Sequence, residues 1–195
     1  MNTPLRARIA AGTARGTRQS GFTLIEMLMA LTVAGIVIAL AVPSFRYITN
    51  SNRIASEING LLGDLQYARA EAIKEGRSVT VCVSASGTGC AGTTTWQNGW
   101  IVFQDPNANG VVDAGETILR VQTTFTGTDT FVASNGVGAI TFNREGYAVG
   151  MAAGTQISLH DATGNNAWTR CLEINLVGQT TSQTYGNITN GATCQ

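Results

Sequence analysis

Charge is scarce in this sequence: Lys, Arg, Asp and Glu make up 12% of its 195 residues, against about 25% in an ordinary soluble domain. Acidic groups are missing altogether from the first 25 positions, which nevertheless hold Arg6, Arg8, Arg15 and Arg18. Histidine is nearly absent. His160 is the single one, and set among Thr, Ser and Asp it fits a surface or capping residue better than a general base. No nucleophile elbow and no phosphate loop occur, so the common hydrolase and nucleotide-binding signatures are excluded. A cleft built from paired carboxylates is the enzymatic arrangement left open. No two cysteines form a C-x-x-C pair, which together with the lone histidine speaks against zinc. The chain beyond Gly21 has eight basic and twelve acidic residues, and that negative balance makes it a poor generic partner for nucleic acid.

Long apolar runs, by contrast, are present. Residues 22–42 are almost wholly apolar, and a helix of that length crosses the roughly 30 Å hydrocarbon core of a bilayer. The arginines before it place the N-terminus in the cytoplasm and the bulk of the chain across the inner membrane, in the periplasm. A secretory signal peptide would have a shorter apolar region and a small-residue cleavage site after it, which Val42-Pro43-Ser44 matches poorly. One carboxylate, Glu26, interrupts the run one helical turn from its start. Near the middle of a span such a group costs about 2.5–3.5 kcal/mol, and a plain anchor has no use for it. It could reach up to the headgroups, or it could have a partner.

Pro43 permits a bend at the membrane surface. From Ser44 to Glu75 the pattern predicts an amphipathic helix, with Phe45, Ile48, Ala55, Ile58, Leu62, Leu65, Ala68 and Ala72 as its apolar stripe. Arg53, Glu57, Asp64, Arg69 and Glu75 fall largely on other faces, and Gly76 is a natural stop. Beyond Gly76 the periodicity changes to β-branched runs at Ser78–Val83, Trp100–Phe103, Thr117–Val121, Ala139–Phe142, Gln156–Leu159 and Cys171–Leu176. No second helical pattern separates them. An α+β fold follows, with the helix packed on an antiparallel sheet or small sandwich. Four segments result: a basic N-terminal stretch 1–21, a span 22–43, an amphipathic helix 44–76 and a β-rich domain 77–195.

Cys82, Cys90, Cys171 and Cys194 allow three pairings, of which proximity favours Cys82 with Cys90 and Cys171 with Cys194. The stretch from Asp105 to Glu116 matches the twelve-position calcium loop. Its ligands would be the side chains of Asp105, Asn107, Asn109, Asp113 and Glu116 with the carbonyl of Val111. The flanks read as strands rather than the helices of an EF-hand, and Asp, Asn and Gly are also what a metal-free hairpin loop uses. Calcium and a plain turn both stand at this point.

The stretch Gly21-Phe22-Thr23-Leu24-Ile25-Glu26, followed by an apolar helix with Pro43 near its end, resembles the N-terminal signature of type IV pilins and pseudopilins. That resemblance implies cleavage by a prepilin peptidase between Gly21 and Phe22 with methylation of the new N-terminus. It also implies pairing of the Glu26 carboxylate with the terminal amine of a neighbouring subunit. Further along, Leu65-Gln66-Tyr67-Ala68-Arg69-Ala70-Glu71-Ala72, Val79-Thr80-Val81-Cys82, Gly99-Trp100-Ile101-Val102-Phe103 and Ile140-Thr141-Phe142-Asn143-Arg144-Glu145-Gly146 resemble the GspH/FimT branch. The branch implies a low-abundance subunit that initiates or caps a filament beside other minor pilins, a major pilin or pseudopilins. Its two homes are the type IV pilus and the type II secretion system. Some members bind DNA through a C-terminal G-R-x-R motif, but here the place reads Gly178-Gln179-Thr180-Thr181, without either arginine, which argues against DNA uptake.

Overall fold

A computed structural model describes residues 21–189 and 192–195; the arginines expected to orient the span lie outside them. The chain divides into two units, one ending at Ser44 and the other comprising Phe45–Gln195. Helix α1 (Leu24–Glu75) belongs to both. In the first unit every residue from Gly21 to Ser44 is exposed, and the helix contains an 18-residue window of mean hydropathy 2.4. An apolar helix with no protein around it is what a lipid-facing span looks like. Pro43 lies inside the helix, where its ring nitrogen cannot donate to the carbonyl four residues earlier.

Both ends of α1 follow from local chemistry. Thr23 precedes the first helical residue, and its hydroxyl accepts a hydrogen bond from the Glu26 N–H at 3.3 Å, an N-cap that satisfies one of the free donors of the first turn. At the other end Gly76 takes φ +66°, and the Arg77 N–H reaches back to the Ala72 carbonyl at 3.3 Å. That is the closing bond of a left-handed glycine cap.

In the second unit, Ile54, Ile58, Leu61, Leu65, Ala68 and Ala72 are fully buried, alternating steps of four and three along one face. The stripe is rotated from the expected one. Phe45 and Ile48 are 69% and 52% exposed, because they continue the apolar run ahead of the sheets, and Ile54 and Leu61 take their place in the core. Glu57, expected on a polar face, is buried at 9% exposure.

Eleven strands are present among the described residues. The first sheet has the order β3-β2-β1-β5-β6, with β1 Val79–Val83, β2 Trp100–Gln104, β3 Ile118–Gln122, β5 Ala139–Phe142 and β6 Ala148–Val149. The second has the order β4-β7-β8-β9, with β4 Thr130–Ala133, β7 Thr155–His160, β8 Arg170–Ile174 and β9 Thr180–Thr184. Both are antiparallel throughout. A two-stranded hairpin, β10 Ile188–Thr189 with β11 Ala192–Thr193, completes the set.

The inner faces of both sheets meet the helix stripe in one core: Val79, Val81, Val83, Ile140 and Phe142 from the first, Phe131, Ile157, Leu159, Leu172 and Ile174 from the second. A smaller cluster of Cys82, Ile101 and Phe103 occupies the outer face of the first sheet, with Val112 of the acidic loop packed against it. The architecture is therefore α+β, with two sheets sharing one helix. The strand expected over 171–176 stops at Ile174, since Asn175 opens the turn to β9: its side chain and carbonyl are bonded to the N–H groups of Gln179 and Gly178.

Candidate functional site

Three of the stretches singled out in the sequence converge on one side chain, Arg69 of α1. Its Nε donates to the Gly146 carbonyl at 2.9 Å and its Nη2 to the Val177 carbonyl at 3.2 Å. One guanidinium thus ties the helix to the β5–β6 hairpin of the first sheet and the β8–β9 turn of the second. The turns themselves touch there. Gly178 has φ +77°, and a Cβ on it would collide with the Gly146 carbonyl oxygen; a Cβ on Gly146, at φ +82°, would strike Ile73. Only glycine allows that approach at both positions. Gly178 is the first residue of the stretch that lacks the two arginines, and its role here is architectural.

A second connection runs from Asp64. Its carboxylate accepts from Trp100 Nε1 at 2.8 Å and from Arg120 Nη1 at 2.8 Å, and the Arg120 guanidinium lies 3.8 Å over the Tyr67 ring, a cation–π contact. Nearer the start of the unit, Arg53 Nη2 bonds Asp129 Oδ1 at 2.7 Å. Glu57 packs beside that pair, and burial, reinforced by the Asp129 charge and only partly opposed by Arg53, raises its carboxyl to about 7. Asp161, on the β7–β8 connection, is buried too; burial would raise it, but bonds from the Thr163 hydroxyl and the Thr163 and Asn165 N–H groups, with the Arg53 charge, hold it below the usual range.

The acidic loop folds back on itself. Asp105 is fully buried: its Oδ2 accepts from the Thr80 hydroxyl at 2.7 Å and the Gly110 N–H at 2.9 Å, and its Oδ1 from the Asn109 N–H at 3.1 Å. Asp113 Oδ2 accepts from both Asn107 Nδ2 and Asn109 Nδ2 at 2.8 Å, which lowers its carboxyl. The two asparagine oxygens face the Asn109 and Val111 N–H groups, and Glu116 Oε2 faces the Asp113 N–H. In this arrangement each side chain of the calcium motif, Asp105, Asn107, Asn109, Asp113 and Glu116, accepts a protein donor. Among the described residues no group of three or more His, Cys, Asp or Glu side chains is placed to hold a metal.

Disulfides join Cys82 to Cys90 and Cys171 to Cys194. The first closes the loop after β1, and the second fixes the C-terminal hairpin to β8. His160 Nδ1 lies 3.3 Å from the Thr169 hydroxyl, bridging the ends of the β7–β8 connection rather than facing a catalytic partner. At the other end of the chain, Gly21 and Phe22 are exposed and precede the helix, Thr23 caps it and Glu26 stands in its first turn. The carboxylate meets the positive end of the helix dipole there. The sequence reading named Glu26 without Thr23, although T-x-x-E ahead of an apolar run is itself a helix-start signal.

An exposed apolar helix with a capped start and a carboxylate in its first turn, ahead of a helix-on-sheet domain, defines a membrane-anchored protein of pilin type. The comparisons make this specific. Residues 16–42 match the prokaryotic N-terminal methylation motif, and residues 57–178 match the type II transport protein GspH family. The chain belongs to the GspH family of pilin-like proteins, which is a structural family and not an enzyme family. It is similar to the pilin-like protein PilA1 of Thermus thermophilus, 33% identical over 98 residues, which are 49% of this chain and 54% of that protein; the match thus spans about half of the relative's length. It shares its fold with the type IV minor pilin FimU of Pseudomonas aeruginosa. In one crystal form the TM-score is 0.54 at 23% identity, covering 68% of this chain and 89% of that one, and in a second form it is 0.50.

Proposed function

We propose that this chain is a minor pilin which, after removal of residues 1–21 by a prepilin peptidase and methylation of Phe22, helps initiate or cap a type IV pilus. The observation that carries the reading is the join between motif and helix. Cleavage after Gly21 would leave a charged amine two residues ahead of the first helical residue, beside a helix end that is itself positive. A carboxylate in that turn answers the positive helix end and can also pair with a neighbour's amine, and a buried ion pair between subunits becomes tolerable once hydrogen-bonded. The mature protein crosses the inner membrane once with its β-rich domain in the periplasm. The partners are other minor pilins and the major pilin; with eight basic against twelve acidic residues beyond Gly21, nucleic acid is not among them.

The family description favours one further home, the type II secretion system, where the same subunit would be a minor pseudopilin. Deleting the gene separates the two. Loss of surface pili with secretion intact supports the pilus, and retention of exported enzymes in the periplasm with pili intact supports secretion. Asp105–Glu116 is in our reading a metal-free turn, supported by the donors already bound to Asp105 and Asp113.

A further inference from the structure

We propose that Glu57 and Asp129 share one proton and so form a pH-operated latch between α1 and the segment that crosses from the first sheet to the second. Glu57 Oε2 and Asp129 Oδ2 are both buried and neither has a hydrogen-bond partner; Glu57 stands one helical turn after Arg53, on the same face of α1, and Arg53 holds Asp129 at 2.7 Å, which sets the two carboxyls side by side. Two carboxylate oxygens bond only through a hydrogen. The other Asp129 oxygen is committed to Arg53, so Asp129 stays the acceptor and Glu57 supplies the O–H. This satisfies both orphaned oxygens, which unpaired would each cost the desolvation of a polar group.

The charges facing the pair come from three elements. Helix α1 contributes Arg53 and Glu57, the β3–β4 crossover Asp129, and the β7–β8 connection Asp161, whose carboxylate also senses Arg53. With Glu57 neutral, one guanidinium serves two carboxylates; once Glu57 ionises it serves three, and Glu57 and Asp129 repel. The sign follows. A buried carboxyl whose folded value is raised favours the fold below its unfolded value, and that contribution is lost as the pH rises through about 7.

What loosens is local. Phe125 stays anchored, stacked on Phe131 at 5.3 Å with its N–H on the Gln97 carbonyl. Residues 126–128 are exposed and have Asp129 as their nearest buried anchor. Gly127 lies against the Asp129–Arg53 pair, which a Cβ there would approach at 3.6 Å and 3.7 Å. The crossover is thus held in mildly acid surroundings and released in alkaline ones.

Hydrogen exchange on the full mature chain in detergent micelles, corrected for intrinsic rates, tests this. Protection of amides 126–131 should fall on the order of threefold or more between about pH 6 and pH 8 in the wild type. In Glu57→Gln it should be high and unchanged, because the amide donates to Asp129 without titrating. Equal protection of the wild type at both pH values, or a parallel loss in Glu57→Gln, would overturn the latch. Should Glu57→Gln fail to fold, carboxyl 13C titration of the wild type decides: a Glu57 midpoint above about 6 supports it, and one in the ordinary glutamate range near 4.3 refutes it.

Discussion

Thr23 and Glu26 act on the same helical turn, but through different bonds. Thr23 caps the helix within its own chain, whereas the Glu26 carboxylate, exposed and without a partner bond among the described residues, is free for a second subunit. Glu26→Ala should therefore leave insertion and leader cleavage intact while abolishing filament incorporation, since the span only becomes more apolar. Immunoblots of sheared filaments against membrane fractions would show it, and normal incorporation of the variant would count against the pairing. At Arg69 the effect should be on stability instead. Arg69→Ala removes two charge-assisted bonds, one part-buried and one exposed, and should cost about 1–2 kcal/mol. Arg69→Lys should recover only part of this, because an ammonium cannot fork onto two carbonyls as the guanidinium does. Thermal denaturation of the three proteins in micelles reads the order directly.

The acidic loop is the element on which composition and geometry disagree most. If its carboxylate oxygens already accept protein donors, as those of Asp105 and Asp113 do, the melting temperature should be the same in millimolar calcium and in chelator, for the wild type and for Asp105→Ala with Glu116→Ala alike. Calcium binding to the folded state alone would raise it, by about 2.7 kcal/mol of stability at a hundredfold excess over Kd. The double variant should also melt lower than the wild type in both buffers, because Asp105 anchors the loop to Thr80. Much of the remaining fold could be read from pattern alone: a helix with a 3–4 stripe announces itself, and so do strands such as Val79–Val83 that are buried on both faces. The missed elements share a physical reason. Thr180–Thr184 is an edge strand of Thr, Ser and Gln with no apolar alternation, and Ala148–Val149 is too short to show a period. The stripe was misplaced for a related cause: Phe45 and Ile48 are apolar because the run ahead of them is, which hydropathy cannot distinguish from facing a core. Arg69 stood in a conspicuous stretch, but its two acceptors are backbone carbonyls, which leave no mark on composition.

Taken as a complete subunit, the protein should show its processing in its mass. The membrane-extracted form should lack residues 1–21 and have one added methyl group on Phe22, and a chain beginning at Ser44 would sink the pilin reading. Among the described residues the two sheets share no ladder; an isolated bridge joins Thr95, in the loop ahead of β2, to Val132 of β4. Beyond that they are joined by the buried stripe of α1 and Arg69, by the Trp100–Phe131 ring contact and by the Ala148 N–H on the Leu176 carbonyl at 3.1 Å. Helix and both inner faces therefore share one core, and the domain has no natural line along which to come apart in stages. Unfolding should be a single cooperative event in which calorimetric and van't Hoff enthalpies agree. The order of synthesis gives that dependence a direction: the helix leaves the ribosome first, so each strand emerges to find its template already made.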